Sequence, residues 1–138
     1  MGNGIFDPTI GALNTSLNLR QMNQNVISSN IANADTPGYK AKAMDFETAL
    51  RTALDVGDQL KMEVTQEKHI APQSQDPIHP EIFDDPNGVE SMDGNTVERA
   101  AEMAKMAENQ LLYDASIEMM KKKIGMLRYA INEGGGNR

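Results

Sequence analysis

Apolar residues recur with a helical period through the first part of the chain. From Pro8 to Asn33 they stand three or four positions apart, as on one face of an α-helix. Asp7 can cap this helix, and Pro8 suits its first turn because the N–H that proline lacks would be unpaired there. The pattern predicts a long helix with a broad apolar face. The residues expected to pack on this face include Leu13, Leu17, Val26, Ile27 and Ile31.

The last part of the chain has a stricter pattern. Its apolar residues alternate three and four positions apart, which is the 3.5-residue spacing of a seam between packed helices, and Gln110 is the one polar member. Asn95 followed by Glu98 suits the start of this helix, and the glycines at 134–136 suit its end. The seam consists of Met103, Met106, Tyr113, Ile117, Met120, Ile124, Leu127 and Ile131.

The two predicted helices differ in length. At 1.5 Å per residue the first spans roughly 39 Å and the last roughly 55 Å. Packed as an antiparallel, coiled-coil-like pair, they leave about 16 Å of the longer seam without a partner in the same chain. Because each buried Leu, Ile or Met contributes about 1.5–3 kcal/mol, we expect other chains to cover the excess. The alternative is a self-contained helical hairpin covered by the middle of the chain.

Turn-forming residues cluster where the first helix must end. Pro37 lacks the N–H that a helix interior needs, and Gly38 accepts a positive φ, so the pair suits the centre of a type II turn. The residue before a proline is pushed towards extended geometry. We expect this connector to fix the direction in which the chain leaves the helix. Its residues are Asn30, Asn33, Ala34, Asp35, Thr36, Pro37, Gly38, Tyr39 and Lys40.

The middle of the chain holds little predicted core. Asp45 can cap a short helix whose apolar residues, from Phe46 to Leu54, share one face. Alternation over residues 60–64 predicts a β-strand, and four prolines within residues 69–92 predict extended loops. We therefore expect a mainly α-helical chain in three parts: an amino-terminal helical part over 1–34, a connector and projecting middle segment over 35–94, and a carboxyl-terminal helical part over 95–138.

Charge and composition exclude several classes of protein. The net charge of −7 and the pI near 4.7 argue against a nucleic-acid partner, because phosphate binding needs a basic surface. No stretch is apolar enough for direct membrane insertion, and residues 1–20 lack the pattern of a cleaved secretion signal. The chain has no cysteine, which removes disulfides and thiolate chemistry.

Candidate catalytic chemistry is sparse. His69 and His79 share a polar segment with Asp76, Asp84 and Asp85, and two histidines with a carboxylate could bind a metal. The histidines lack the i, i+4 spacing of a helical metal pair, however. We expect no catalytic, cofactor-binding or metal site, and a metal-dependent hydrolase is a remote alternative.

The connector closely resembles a known signature. Residues 29–40, Ser-Asn-Ile-Ala-Asn-Ala-Asp-Thr-Pro-Gly-Tyr-Lys, resemble the amino-terminal motif of bacterial flagellar rod, hook and hook-associated proteins. Residues 34–41 with Asp45-Phe46, residues 93–97 and residues 107–113 are similar to proximal-rod members of that family. The resemblance covers both ends and several points between them.

The resemblance implies a structural subunit rather than an enzyme. Members pair their terminal helices into the inner layer of a hollow axial shaft that transmits torque for motility. They leave the cytoplasm through the flagellar type III export apparatus without a cleaved signal peptide. The implied location is the periplasmic rod of the basal body. The implied partners are copies of the chain, other rod proteins, the FliE adaptor and the MS-ring protein FliF. The alternatives are the related proximal-rod protein FlgC and a soluble helical adaptor of flagellar export.

Overall fold

The computed structural model describes residues 8–59 and 80–134. In this part of the chain, long helices at both ends flank a short helix and a small sheet, so the predicted mainly helical class is confirmed. The strand predicted over 60–64, both histidines and the cap at Asp7 lie outside the described residues. The elements in chain order are α1 (Pro8–Ala32), β1 (Lys42–Met44), α2 (Phe46–Gln59), β2 (Ile82–Asp84) and α3 (Arg99–Gly134).

Helices α1 and α3 pack as an antiparallel pair. Near the carboxyl end of α1, Asn30 Nδ2 donates a hydrogen bond of 2.8 Å to Glu102 Oε2 in the first turn of α3. Ten residues earlier in α1, the carbonyl of Arg20 accepts a 3.0 Å hydrogen bond from Asn109 Nδ2. Residue numbers thus fall along α1 as they rise along α3. The buried apolar side chains of α1 are Leu19, Val26 and Ile27.

The difference in helix length agrees with the sequence pattern. Helix α1 has 25 residues and α3 has 36, which correspond to about 38 Å and about 54 Å. The carboxyl-terminal turns of α3 therefore extend past the start of α1. In those turns Ile124 is 43% exposed and Ile131 is 67% exposed. Helix α3 begins at Arg99, three residues later than a cap at Asn95 predicts, because Asn95 has the long-range role described below.

The chain turns back along α1 after the connector. β1 pairs antiparallel with β2, and the central pair of the ladder is Ala43 with Phe83. The predicted cap of α2 is confirmed, because Asp45 Oδ1 accepts the backbone N–H of Thr48 at 3.0 Å. The Phe46 ring then lies 4.3 Å from the guanidinium carbon of Arg20. No helix among residues 8–59 and 80–134 is long and apolar enough to span a membrane.

Candidate assembly site: the connector and the faces of the long helices

The connector forms the turn that its sequence predicts. The N–H of Tyr39 donates to the carbonyl of Thr36 at 3.2 Å, which closes a four-residue turn around Pro37 and Gly38. Gly38 has a φ of +72°, the left-handed conformation that a type II turn requires at this position. The N–H of Gly38 also donates to the carbonyl of Asp93 at 2.9 Å, which ties the turn to the segment that precedes α3.

Asn95 closes the carboxyl end of α1 from the other end of the fold. Its side chain is buried, with 2% exposed, and its Nδ2 lies 3.0 Å from the carbonyl oxygens of Asn33 and Ala34 and 2.8 Å from that of Thr36. These carbonyls follow the last turn of a helix, where backbone acceptors lack intrahelical partners. Asn95 Oδ1 accepts the N–H of Val97 at 2.7 Å. A single amide thus links the end of α1 to the approach to α3.

The side chain of Asn30 pairs with the backbone of β1 in the way that a neighbouring strand would, through one donated and one accepted hydrogen bond. Its side chain is 1% exposed. Its Nδ2 donates to the carbonyl of Lys42 at 2.7 Å, and its Oδ1 accepts the N–H of Lys42 at 2.9 Å. The hydroxyl of Tyr39 also donates to Oδ1, at 3.3 Å. Asn30 therefore fixes the connector, β1 and, through Glu102, the amino end of α3 against α1.

A buried carboxylate continues this network. Glu102 is 3% exposed and accepts bonds from Asn30 at 2.8 Å and from Lys105 Nζ at 2.7 Å. Lys105 Nζ lies 3.2 Å from Asp85, beyond β2. The hydrogen bond to Glu102 is the main cause that raises the pKa of Lys105, while the N–H of Asn87 is the main cause that lowers the pKa of Asp85. Because the folded pKa of Asp85 is depressed, its stabilising effect is present at neutral pH and is lost as the pH falls through that value.

Replacing Gly38 by alanine should destabilise the protein by about 1–2 kcal/mol, because an L-residue at this positive φ is strained. The new methyl group would meet nothing within 4 Å, so the backbone conformation alone sets the cost. Gly11→Ala is the matched control: it also adds a methyl group to open space, but within α1, and it should stabilise by about 0.5–1 kcal/mol. Urea unfolding followed by circular dichroism distinguishes the two. Shifts in the same direction would contradict this account of the turn.

The predicted packing residues fall into three groups by their exposure. Val26 and Ile27 are buried, and the half-buried ones are Leu13, Leu17, Ile31, Met106, Tyr113, Ile117, Met120 and Leu127. The other three are exposed: Met103 to 58%, and Ile124 and Ile131 in the overhang to 43% and 67%. The first turns of α3 bury Glu102 and Asn109 instead of Met103 and Gln110, because these polar side chains satisfy partners on α1.

A second apolar stripe on α3 was not predicted. Leu112, Met119 and Met126 stand seven positions apart and are 40%, 60% and 66% exposed, with Leu111 beside them at 70%. The seven-residue spacing of this stripe is visible in the sequence, but the neighbouring seam is longer and more regular, so the sequence pattern predicts only the seam. Several large apolar side chains exposed along one helix are typical of an interaction surface.

Among the described residues, no three His, Cys, Asp or Glu side chains are grouped so that they could hold a metal ion. The polar clusters that are described serve the fold: Asn30, Glu102 and Lys105 have partners within the chain. The described residues therefore offer two features for assembly. The hydrogen-bonded connector joins α1 to α3, and α3 carries exposed apolar surface.

Comparison with known proteins adds an independent finding. Residues 12–40 match the sequence profile of a family described as "Flagella basal body rod protein". The chain is 38% identical over 126 residues to the flagellar basal body rod protein FlgB of Aeromonas hydrophila, covering 91% of this chain and 94% of the relative. It is 31% identical to FlgB of Yersinia ruckeri, covering 94% and 100%, and 33% identical to FlgB of Escherichia coli K12, covering 86% and 89%.

Proposed function

The chain belongs to the FlgB family of flagellar basal body rod proteins, and on this premise we propose that its two long helices form an axial core whose exposed faces are covered by neighbouring subunits. Membership makes it a structural subunit of the proximal rod in the flagellar basal body, which assembles with other rod components. The FlgC alternative is not favoured, since these relatives are named FlgB.

The observation that supports assembly through α3 is its exposed apolar surface. Leu111, Met119, Met126 and Ile131 are each at least 60% exposed in the single chain. Covering side chains of this size contributes about 1.5–3 kcal/mol each, which favours a neighbour over solvent. The predicted seam and the second stripe lie on different sides of α3, so this helix can contact more than one neighbour.

The connector network would set the direction of the middle segment. Asn30 and Asn95 hold the chain between them to both long helices, so residues 35–94 would leave the axial core at a fixed angle. In this proposal, residues 1–34 and 95–138 are the helical parts of the core and the segment between them faces outward. Rigid placement matters because a shaft transmits torque only through subunits whose parts keep their geometry.

Location and neighbours are proposed from the family resemblance. The chain would travel through the flagellar type III export apparatus without a cleaved signal peptide and would take its place in the periplasmic part of the rod. Its neighbours would be copies of itself, other rod proteins, the FliE adaptor and the MS-ring protein FliF. No catalytic step forms part of this proposal.

The test is complementation. A bacterium lacking its own FlgB should regain swimming when it expresses this chain, and purified basal bodies should contain the chain in the rod. The same strain with an empty vector supplies the baseline. A chain that is stably produced but absent from basal bodies, and that behaves as a folded monomer, would favour the adaptor alternative and overturn the proposal.

A further inference from the structure

The two ends of the α1–α3 pair carry opposite charge. Residues 84–98, at the end where α1 stops and α3 begins, contain five acidic residues and no lysine or arginine. Residues 121–132, at the other end, contain four basic residues and no acidic one. We call these segments the acidic end and the basic end. Their charged residues are Asp84, Asp85, Glu90, Asp93 and Glu98, and Lys121, Lys122, Lys123 and Arg128.

The acidic end also presents apolar side chains beyond α1. Asn95 binds carbonyls of residues that follow α1, so the turn that precedes Asn95 lies past the carboxyl end of that helix. The bond of 2.9 Å from the N–H of Gly38 to the carbonyl of Asp93 holds this turn in place. On the turn, Val89 is 83% exposed and Met92 is fully exposed. This end of the helix pair therefore displays two large apolar side chains among its carboxylates.

The basic end includes the turns of α3 that extend past the start of α1. Ile124 and Ile131 are exposed there, and Lys122 and Arg128 make no ion pair with another described residue. Cations near the carboxyl end of a helix complement its dipole, which accounts for the charge but not for the apolar side chains beside it. Exposed apolar side chains of this size favour a covering partner over water.

The two ends are complementary to each other. Each displays exposed apolar side chains among charges, and the charges of the two ends have opposite sign. Complementary potentials steer two surfaces together and disfavour like-charged partners. Because one chain carries both surfaces, a second copy supplies the match for each of them. We propose that the basic end of one copy packs on the acidic end of the next copy, with Ile124 and Ile131 against Val89 and Met92.

This contact is head to tail. It joins two different surfaces, so successive copies point the same way and no twofold axis relates them. Repetition of such a contact produces an open stack rather than a closed dimer. Since all copies in the stack are turned alike, every middle segment can face outward. The inference rests on the proposed function, and it names the axial neighbour that covers the overhang of α3.

Disulfide trapping tests the contact, since the natural chain has no cysteine. A bacterium that expresses Met92→Cys and Ile131→Cys chains together should yield covalent dimers when its basal bodies are oxidised, whereas either variant alone should yield none. In the control, Thr52→Cys, exposed on α2, replaces Met92→Cys and should give no dimers with Ile131→Cys. Dimers from one variant alone would indicate a twofold contact and overturn the proposal. A lack of mixed dimers, or equal trapping in the control, would also overturn it.

A charge exchange separates the inference from the proposed function. Glu90→Lys and Arg128→Glu should each lower the amount of chain in basal bodies about tenfold, because each variant brings like charges together in the contact. A chain with both changes again has opposite charges at every contact, so its content should recover to within about twofold of the unmodified chain. The ion pair of Glu90 with Lys40 is exposed on both sides, so its loss alone should have little effect on folding.

Thr52→Asp is the control for added charge and should leave the content of basal bodies unchanged. Circular dichroism of the purified chains checks that each variant folds. Normal incorporation of both single variants, or no recovery in a folded double variant, would refute the head-to-tail contact and leave the rod assignment intact. If the unmodified chain never enters basal bodies, the rod assignment fails and this inference fails with it.

Discussion

Replacing Asn30 by leucine should cost about 3–5 kcal/mol of folding stability, because several polar groups lose their partner at about 1–3 kcal/mol each. One of them is the buried carboxylate of Glu102, which keeps only its bond to Lys105. The same change leaves the backbone N–H and carbonyl of Lys42 without the amide that now satisfies both. Leucine keeps the number of side-chain heavy atoms, so no cavity forms, and its bulkier methyl groups add overpacking to the loss of hydrogen bonds. The midpoint of urea unfolding, followed by circular dichroism of the purified chain, measures it.

Asn132→Leu is the matched control for this variant. Asn132 is exposed near the carboxyl end of α3, so the same substitution there should change stability by less than about 0.5 kcal/mol. If both variants unfold at the same urea concentration as the unmodified chain, Asn30 does not hold the connector in place. A loss at Asn132 comparable with that at Asn30 would contradict the account equally.

Ile124→Asp should abolish incorporation into the rod while leaving the single chain folded. Ile124 lies in the overhang of α3 and is 43% exposed, so water can still reach an aspartate there. Once a neighbouring subunit covers the overhang, the same carboxylate would be buried without a partner, at a cost of several kcal/mol. A cost of about 3 kcal/mol corresponds to a loss of more than a hundredfold in association. Swimming and the content of purified basal bodies are the measurements.

Two comparisons make this prediction specific. Thr52→Asp adds the same charge at an exposed position of α2, away from the apolar stripes of α3, and this variant should swim normally. Ile117→Asp alters a half-buried residue and should lower the stability of the single chain as well as incorporation. Normal rods containing the Ile124→Asp chain would show that no neighbour covers the overhang.

The long helices and the turn were predictable because their signals are local and repeated. A seam spaced at 3.5 residues identifies α3 over many turns, and the excess length of α3 follows from counting residues. The Pro37-Gly38 pair specifies its turn through two backbone constraints, and the observed φ of Gly38 satisfies them. Asp45 and Thr48 form a cap within four residues, which a reader of the sequence can also see.

The sheet and the buried polar residues were not predictable in the same way. β1 and β2 have three residues each, too few to show an alternation. Glu102 and Asn109 resemble surface residues in a sequence, and only their partners on α1 explain their burial. The sequence around Asn95 predicts a helix cap together with Glu98, whereas the side-chain amide of Asn95 binds carbonyls about sixty positions away.

That last bond has a temporal meaning. The carbonyls at 33, 34 and 36 receive their amide only when residue 95 is present, so a chain that emerged amino-terminus first could form α1 but could not close this corner until residue 95 had emerged. The corner would then form only after the middle segment had emerged, and a subunit still in transit would lack this link between its two long helices.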